Sequence, residues 1–160
     1  MIVNNPSEES RYYYSFISAN LNNTTTSTNF FVPLNGYILE QSGTTSTGGE
    51  YIGIIAPYDG ELIKVIFRSE NLVRHAIKAE LVTASDDTEI PDTSVGEISY
   101  NFVLANLADD NPHTYDFTGS LDSGVNTFSK GQVLAVRFTT NGSSVGDCYV
   151  MAVFKYDVTT

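Results

Sequence analysis

The sequence predicts an all-β fold, an antiparallel β-sandwich of eight to nine strands. Three observations predict it. Apolar and polar residues alternate in most segments from residue 30 onward, the pattern of strands with one face on a core. Turn chemistry separates those segments, as in Asn35-Gly36 and Pro57-Tyr58-Asp59-Gly60. No stretch shows firm helical periodicity. At 160 residues, 41% of them hydrophobic, with 10 Tyr and 9 Phe, the chain has the material for one packed core. Two packed sheets of this strand number lead to a jelly roll.

Residues 1–29 read as an extended N-terminal arm, and residues 30–160 as the sandwich domain. The arm carries Tyr12-Tyr13-Tyr14 and Phe16-Ile17, then an Asn- and Thr-rich run at 20–29 that cannot bury apolar area by itself. Its aromatic residues are therefore its anchors, on the parent domain or on a neighbour. Phe30, Val32 and Leu34 alternate, with Pro33 marking an edge strand. Tyr37–Gln41 and Tyr51–Ala56 follow, separated by a Gly-, Ser- and Thr-rich loop at Ser42–Gly49. Glu61–Ser69 places Ile63, Val65 and Phe67 on one face, with Lys64 and Arg68 on the other.

Ser69–Leu81 allows a capped helix, but its flanks are strands. The preferred reading is a loop at 70–75 and a strand at 76–82. Glu97–Leu104 turns Ile98, Tyr100, Phe102 and Leu104 to one side. His113–Thr118 carries Tyr115 and Phe117 inward, and Val133–Thr139 carries Leu134, Val136 and Phe138 inward with Arg137 outward. Asp147–Asp157 closes the chain as a long, nearly continuous apolar strand.

Composition excludes several functions. Eight Lys and Arg against 19 Asp and Glu give a net charge of −11, and such a chain is a poor nucleic-acid binder. Only Lys64, Arg68, Arg74 and Lys78 cluster in sequence, and two of them read as a solvated strand face. No apolar run approaches the roughly 20 residues that span a bilayer. The start, Met1 to Pro6, lacks the basic and apolar regions of a signal peptide. Cys148, the single cysteine, makes no intrachain disulfide and reads as a small buried hydrophobe. The Asn-x-Ser/Thr triplets at Asn22, Asn23 and Asn141 are expected by chance in a chain with 16 Ser, 17 Thr and 13 Asn.

The chemical motifs fail one by one. Gly142-Ser143-Ser144-Val145-Gly146 matches G-x-S-x-G on paper. It lies between two strands, and both histidines, His75 and His113, precede it, whereas a nucleophile elbow needs a strand-to-helix turn and a following histidine. Those two histidines are isolated, so a transition-metal site is not indicated. Asp86-Asp87-Thr88-Glu89 with Asp92, and Asp109-Asp110-Asn111, are oxygen-rich loops that do not follow the EF-hand pattern and read as solvated turns. Adjacent carboxylates seldom converge on one substrate, so these pairs make no acid–base dyad. Ser129-Lys130-Gly131-Gln132 lacks the order of a phosphate loop and reads as a turn. No catalytic residue, cofactor or metal is expected.

The last strand is the most informative segment. Cys148, Val150, Ala152 and Phe154 form one face, and Tyr149, Met151 and Val153 the other. A strand of an open sandwich should have a polar outer face. A second apolar face implies a cover: the arm with Tyr12, Tyr13, Tyr14 and Phe16, another subunit as in a trimer about a shared axis, or a local loop. These seven aromatic and aliphatic residues are the candidate interaction residues.

Ala56-Pro57-Tyr58-Asp59-Gly60-Glu61-Leu62-Ile63-Lys64-Val65 resembles a segment of small virion proteins of tailed bacteriophages, especially marine ones. So does Lys130-Gly131-Gln132-Val133-Leu134-Ala135-Val136 followed by a final strand ending Val153-Phe154-Lys155-Tyr156-Asp157. The same order of turns is similar to trimeric jelly-roll modules of the tumour-necrosis-factor and C1q type. The resemblance covers roughly residues 30–157 as a pattern. It implies a jelly roll that decorates or cements a capsid, or forms a fibre head, with major capsid protein or other virion proteins and its own copies as partners. It carries over no catalytic residue. A glycan-binding fibre head is the second expectation, although the chain has no Trp platform for a sugar.

Overall fold

The structure, a computed structural model, describes residues 11–24, 29–34, 41–42, 53–69, 77–84, 93–100, 112–118, 126–140 and 146–159. The chain is all-β. The strands are β1 (Tyr12–Thr24), β2 (Asn29–Phe31), β3 (Gln41–Ser42), β4 (Ile54–Ile55), β5 (Gly60–Ser69), β6 (Ile77–Thr83), β7 (Thr93–Tyr100), β8 (His113–Asp116), β9 (Thr127–Phe128), β10 (Val133–Thr140) and β11 (Gly146–Asp157). No helix occurs among the described residues, and none is long and apolar enough to cross a membrane. The stretch that allowed a helix is β-strand where it is described, from Ile77 to Thr83.

Two antiparallel sheets form the sandwich. The first runs β1-β11-β5-β8, with β9 beside β5; the second runs β3-β2-β10-β6-β7, with β4 beside β10. Setting aside the two-residue pieces β3, β4 and β9, the eight remaining strands pair from the ends inward. The first pairs with the last (β1–β11), then β2–β10, β5–β8 and β6–β7. The chain is thus one long antiparallel ribbon folded over, so that β11 meets β5 and β10 meets β6. This order is compatible with jelly-roll winding.

The core lies between the sheets. Val65, Phe67, Tyr115, Val150, Ala152 and Phe154 of the first sheet meet Ala79, Leu81, Leu134, Val136 and Phe138 of the second. Phe138 joins the two halves: its ring lies 5.4 Å from that of Phe67 and 5.7 Å, edge to face, from that of Tyr115. Offset and edge-to-face rings of this kind add to the stabilisation from area burial alone. Cys148 is buried in the same core, as its place in the strand pattern predicts.

Three features depart from simple alternation. In β5 the buried residues are Leu62, Val65, Phe67 and Ser69, so Ile63 is out of phase with the face assigned to it. The cause is a β-bulge: Val153 pairs with Lys64 and Phe154 with Leu62, leaving Ile63 as the extra residue. Three hydrogen bonds with later segments support it. The Phe117 N–H donates to the Ile63 carbonyl (2.9 Å) and the Leu62 N–H to the Asn126 carbonyl (2.9 Å). The buried Asn126 amide donates Nδ2–H to the Leu62 carbonyl (2.7 Å).

Next, Arg137 points away from the core as expected, yet it is not solvated. It is buried on the far face of the second sheet with Glu80, beside Phe31, Val82 and Ala135. Phe31, Val32 and Leu34 are all buried, and β2 lies between β3 and β10 rather than at an edge. Pro33 follows that strand instead of marking an edge.

Finally, the N-terminal segment does not lie over the last strand. Tyr12–Thr24 pairs beside β11 as the edge strand of the first sheet, in register from Tyr12↔Asp157 to Leu21↔Cys148. The Asn- and Thr-rich run continues β1 as far as Thr24 and resumes at Asn29 in β2.

Candidate interaction face

The β1–β11 register sorts the aromatic segment into two faces. Tyr13, Ser15, Ile17 and Ala19 stand opposite Tyr156, Phe154, Ala152 and Val150, the core side of β11. Ala19 is buried there and Ile17 packs against the core. Tyr12, Tyr14, Phe16 and Ser18 therefore point outward, opposite Asp157, Lys155, Val153 and Met151. From β5 the same face receives Lys64 and Ile66, opposite Val153 and Met151, and Arg68, opposite Tyr149. Thr114 and Asp116 of β8 complete it.

Six of the seven predicted interaction residues converge on this outer face: Tyr12, Tyr14, Phe16, Tyr149, Met151 and Val153. The seventh, Tyr13, is on the core side but at the rim, where its ring stacks on Tyr156 with centroids 6.3 Å apart. Phe16 is 67% exposed and Tyr149 62%. Tyr12 and Tyr14 are about half exposed, and Met151 partly so. Val153 alone is buried, at the centre of the face between Phe16 and Lys64. Three of the exposed large aromatic residues, Tyr14, Phe16 and Tyr149, thus share one face with the half-exposed Tyr12.

Sequence reasoning did not assign the cations of this face. Lys155 donates to Glu61 Oε1 (2.8 Å), and its ammonium lies 3.9 Å from the centre of the Tyr12 ring. The hydrogen bond to Glu61 is the main reason its pKa is raised above the usual lysine value. Lys64, opposite Asp116, helps hold that carboxyl low, after the larger effect of hydrogen bonds from the Thr118 hydroxyl and N–H. The period-2 count that placed Lys64 and Arg68 together was the available signal; Lys155 required the register with β1.

At one end of this sheet an open groove of about 420 Å³ runs between Tyr12, Asp59, Glu61, Lys155 and Asp157. Its carboxylates already have partners. Asp59 accepts the Lys130 N–H (2.8 Å), Glu61 holds Lys155, and Asp157 accepts the Thr159 N–H (3.0 Å) and its hydroxyl. The Ser129–Gln132 turn is closed by Gln132, whose side chain accepts the Ser129 N–H (2.8 Å).

No cluster of three or more His, Cys, Asp or Glu able to hold a metal occurs among the described residues. His113 lies on β8, where burial pushes its imidazole below the usual histidine value. The acidic loops at 86–92 and 109–111, His75, and residues 142–145 of the G-x-S-x-G match lie outside the described residues. Gly146 of that match opens β11.

Neither a family model nor a curated protein matches the chain. Among solved structures, one titled as the structure of infectious bursal disease virus Gx strain is similar at 11% identity and a TM-score of 0.28. The match covers 94% of this chain and 42% of that one, so the chain spans about two-fifths of its length.

Proposed function

We propose that the chain is a non-enzymatic virion structural protein, a decoration or cement protein of a bacteriophage particle. It acts by binding neighbouring virion proteins, the major capsid protein first among them. The observation that carries this reading is the outer face of the first sheet, where Tyr14, Phe16 and Tyr149 stand exposed beside Met151 and Ile66. Exposed aromatic residues on a rigid sheet lose little conformational freedom on docking, which suits a passive binder. The turn and strand motifs resembling those of phage virion proteins supply the class of partner.

The mechanism is mechanical. Apolar burial across a subunit border adds binding free energy that opposes separation of the joined subunits. Repeated over a particle, modest contacts sum through effective concentration. The test is fractionation of particles from cells producing the chain, followed by surface labelling. Co-sedimentation with surface label supports the reading. A chain found only in the soluble fraction contradicts it.

A receptor-binding fibre head is the second reading, and the groove beside Tyr12 is its specific support, since an aromatic ring flanked by polar groups suits a sugar. Binding of the isolated chain on a glycan array would favour it over decoration.

A further inference from the structure

The free edge of β1 points to a second copy of this chain. Among the described residues no strand pairs with that edge, which offers a row of backbone donors and acceptors. Natural edges are blunted by lysine, proline, bulges or shortness. β1 is 13 residues long, Tyr-Tyr-Tyr-Ser-Phe-Ile-Ser-Ala-Asn-Leu-Asn-Asn-Thr, with neither a charge nor a proline. Its only irregularity is a register shift between Leu21 and Thr24, which leaves Tyr12–Leu21 regular. The lack of charge is selective in a molecule of net charge −11. Copies approaching at random repel one another, whereas copies approaching along this edge bring no like charges of β1 together.

We infer that two copies pair β1 against β1 in antiparallel fashion about a two-fold axis, joining their first sheets into one continuous sheet. Geometry restricts the register. Directly opposed residues in a continuous sheet lie on the same face, so the axis passes through a residue opposed to itself, and the numbers of an opposed pair sum to an even value. Centring on Phe16 pairs Tyr12 with Asn20 of the other copy and uses nearly all of the regular segment. It places Phe16, the most exposed aromatic residue among the described residues, against its own copy. The two outer faces then merge into one aromatic surface twice as wide.

The inference concerns the isolated protein and stands apart from the virion reading. The full chain is measured by size-exclusion chromatography with light scattering, then as Phe16→Cys and Ser18→Cys variants under mild oxidation. Opposed residues at a sheet dyad have Cα atoms about 4.5–5.5 Å apart, within disulfide reach. Residue 18 of one copy lies four residues along from residue 18 of the other, far beyond that reach. Cys148 is buried and does not compete. The expected result is a dimer in solution and a covalent dimer for Phe16→Cys only. Phe16→Lys, which sets two like charges across the axis, yields a folded monomer. A wild-type monomer or trimer overturns the pairing, as does cross-linking of Ser18→Cys at the rate of Phe16→Cys.

Discussion

Arg137 and Glu80 stand opposite each other in the β10–β6 register and share two hydrogen bonds, Nε–H to Oε2 at 2.8 Å and an Nη2–H to Oε1 at 3.0 Å. Both side chains are buried, and Lys78 approaches Glu80 Oε1 at 3.0 Å. Desolvation alone would raise the Glu80 pKa, but the hydrogen bonds and charges of Arg137 and Lys78 outweigh it and hold the carboxyl below its usual value. Glu80→Ala leaves a buried guanidinium without its partner and should lower unfolding free energy by about 3–5 kcal/mol. Replacing both residues with Met should recover most of that loss. Urea titration of the three proteins checks the ordering.

The same pair sets an acid response. A carboxyl with a depressed folded pKa stabilises the fold above its unfolded value, near 4.5, and that contribution is lost as pH falls through the folded value. Wild-type stability should therefore drop below about pH 4.5 more steeply than that of the double Met variant. Equal slopes in denaturant midpoints taken from pH 5 to pH 2 would remove the pair from the explanation.

Asn126 holds the β5 bulge through its side chain, and Asn126→Ala leaves the buried Leu62 carbonyl without that donor. A loss of about 1–3 kcal/mol follows. Asn126→Asp should be at least as harmful, because a carboxylate oxygen would face the Leu62 carbonyl. Thermal melts of both variants, with circular dichroism showing an intact sheet, test the assignment.

Two glycines should respond to alanine for different reasons. A Cβ on Gly60 would collide with the Lys155 carbonyl oxygen and lie 2.9 Å from the Phe128 ring, both packed against it. Gly131 has open space but a φ of +88°. Gly60→Ala should therefore lower stability by about 1–3 kcal/mol through overpacking, and Gly131→Ala by about 1–2 kcal/mol through backbone strain alone. Because open space surrounds Gly131, Gly131→Asn should be milder than Gly131→Ala, while Gly60→Asn should be worse than Gly60→Ala.

Removing residues 1–20 is not the deletion of a loose arm. It takes away most of β1, the pairing partner of β11, together with the core contacts of Ile17 and Ala19. The truncated chain should melt well below the full chain and expose β11 as a new apolar edge. A melting temperature equal to that of the full chain would contradict the role of β1 as an integral strand.

Much of this was legible in the sequence because period-2 alternation is local. Leu134, Val136 and Phe138 inward with Arg137 outward follows directly from β10, and Tyr115 from β8, with Phe117 just beyond its end. Non-local features were not legible. The Ile63 bulge shifts the phase of β5 between Leu62 and Val65, and its support comes from Asn126, 64 positions from Leu62. The Arg137–Glu80 pair joins residues 57 positions apart, each of which reads as solvated by itself. The aromatic segment reads from sequence as an anchor and as one of three possible covers of β11; it pairs beside β11 instead. Its own alternation, Tyr13, Ser15, Ile17 and Ala19 against Tyr14, Phe16 and Ser18, was the available sign of a strand. Six of the seven candidate residues share one face, because clustered aromatics and a two-sided apolar strand are visible without knowing the pairing.

The outer face is tested most directly by particle binding at matched stability. Tyr14→Ser/Tyr149→Ser removes two exposed rings that make no core contact, so its melting temperature should match that of the unaltered chain. Co-sedimentation with the particle fraction should then fall at least tenfold relative to wild type. Equal co-sedimentation of the two proteins would contradict the assignment of this face as the docking surface.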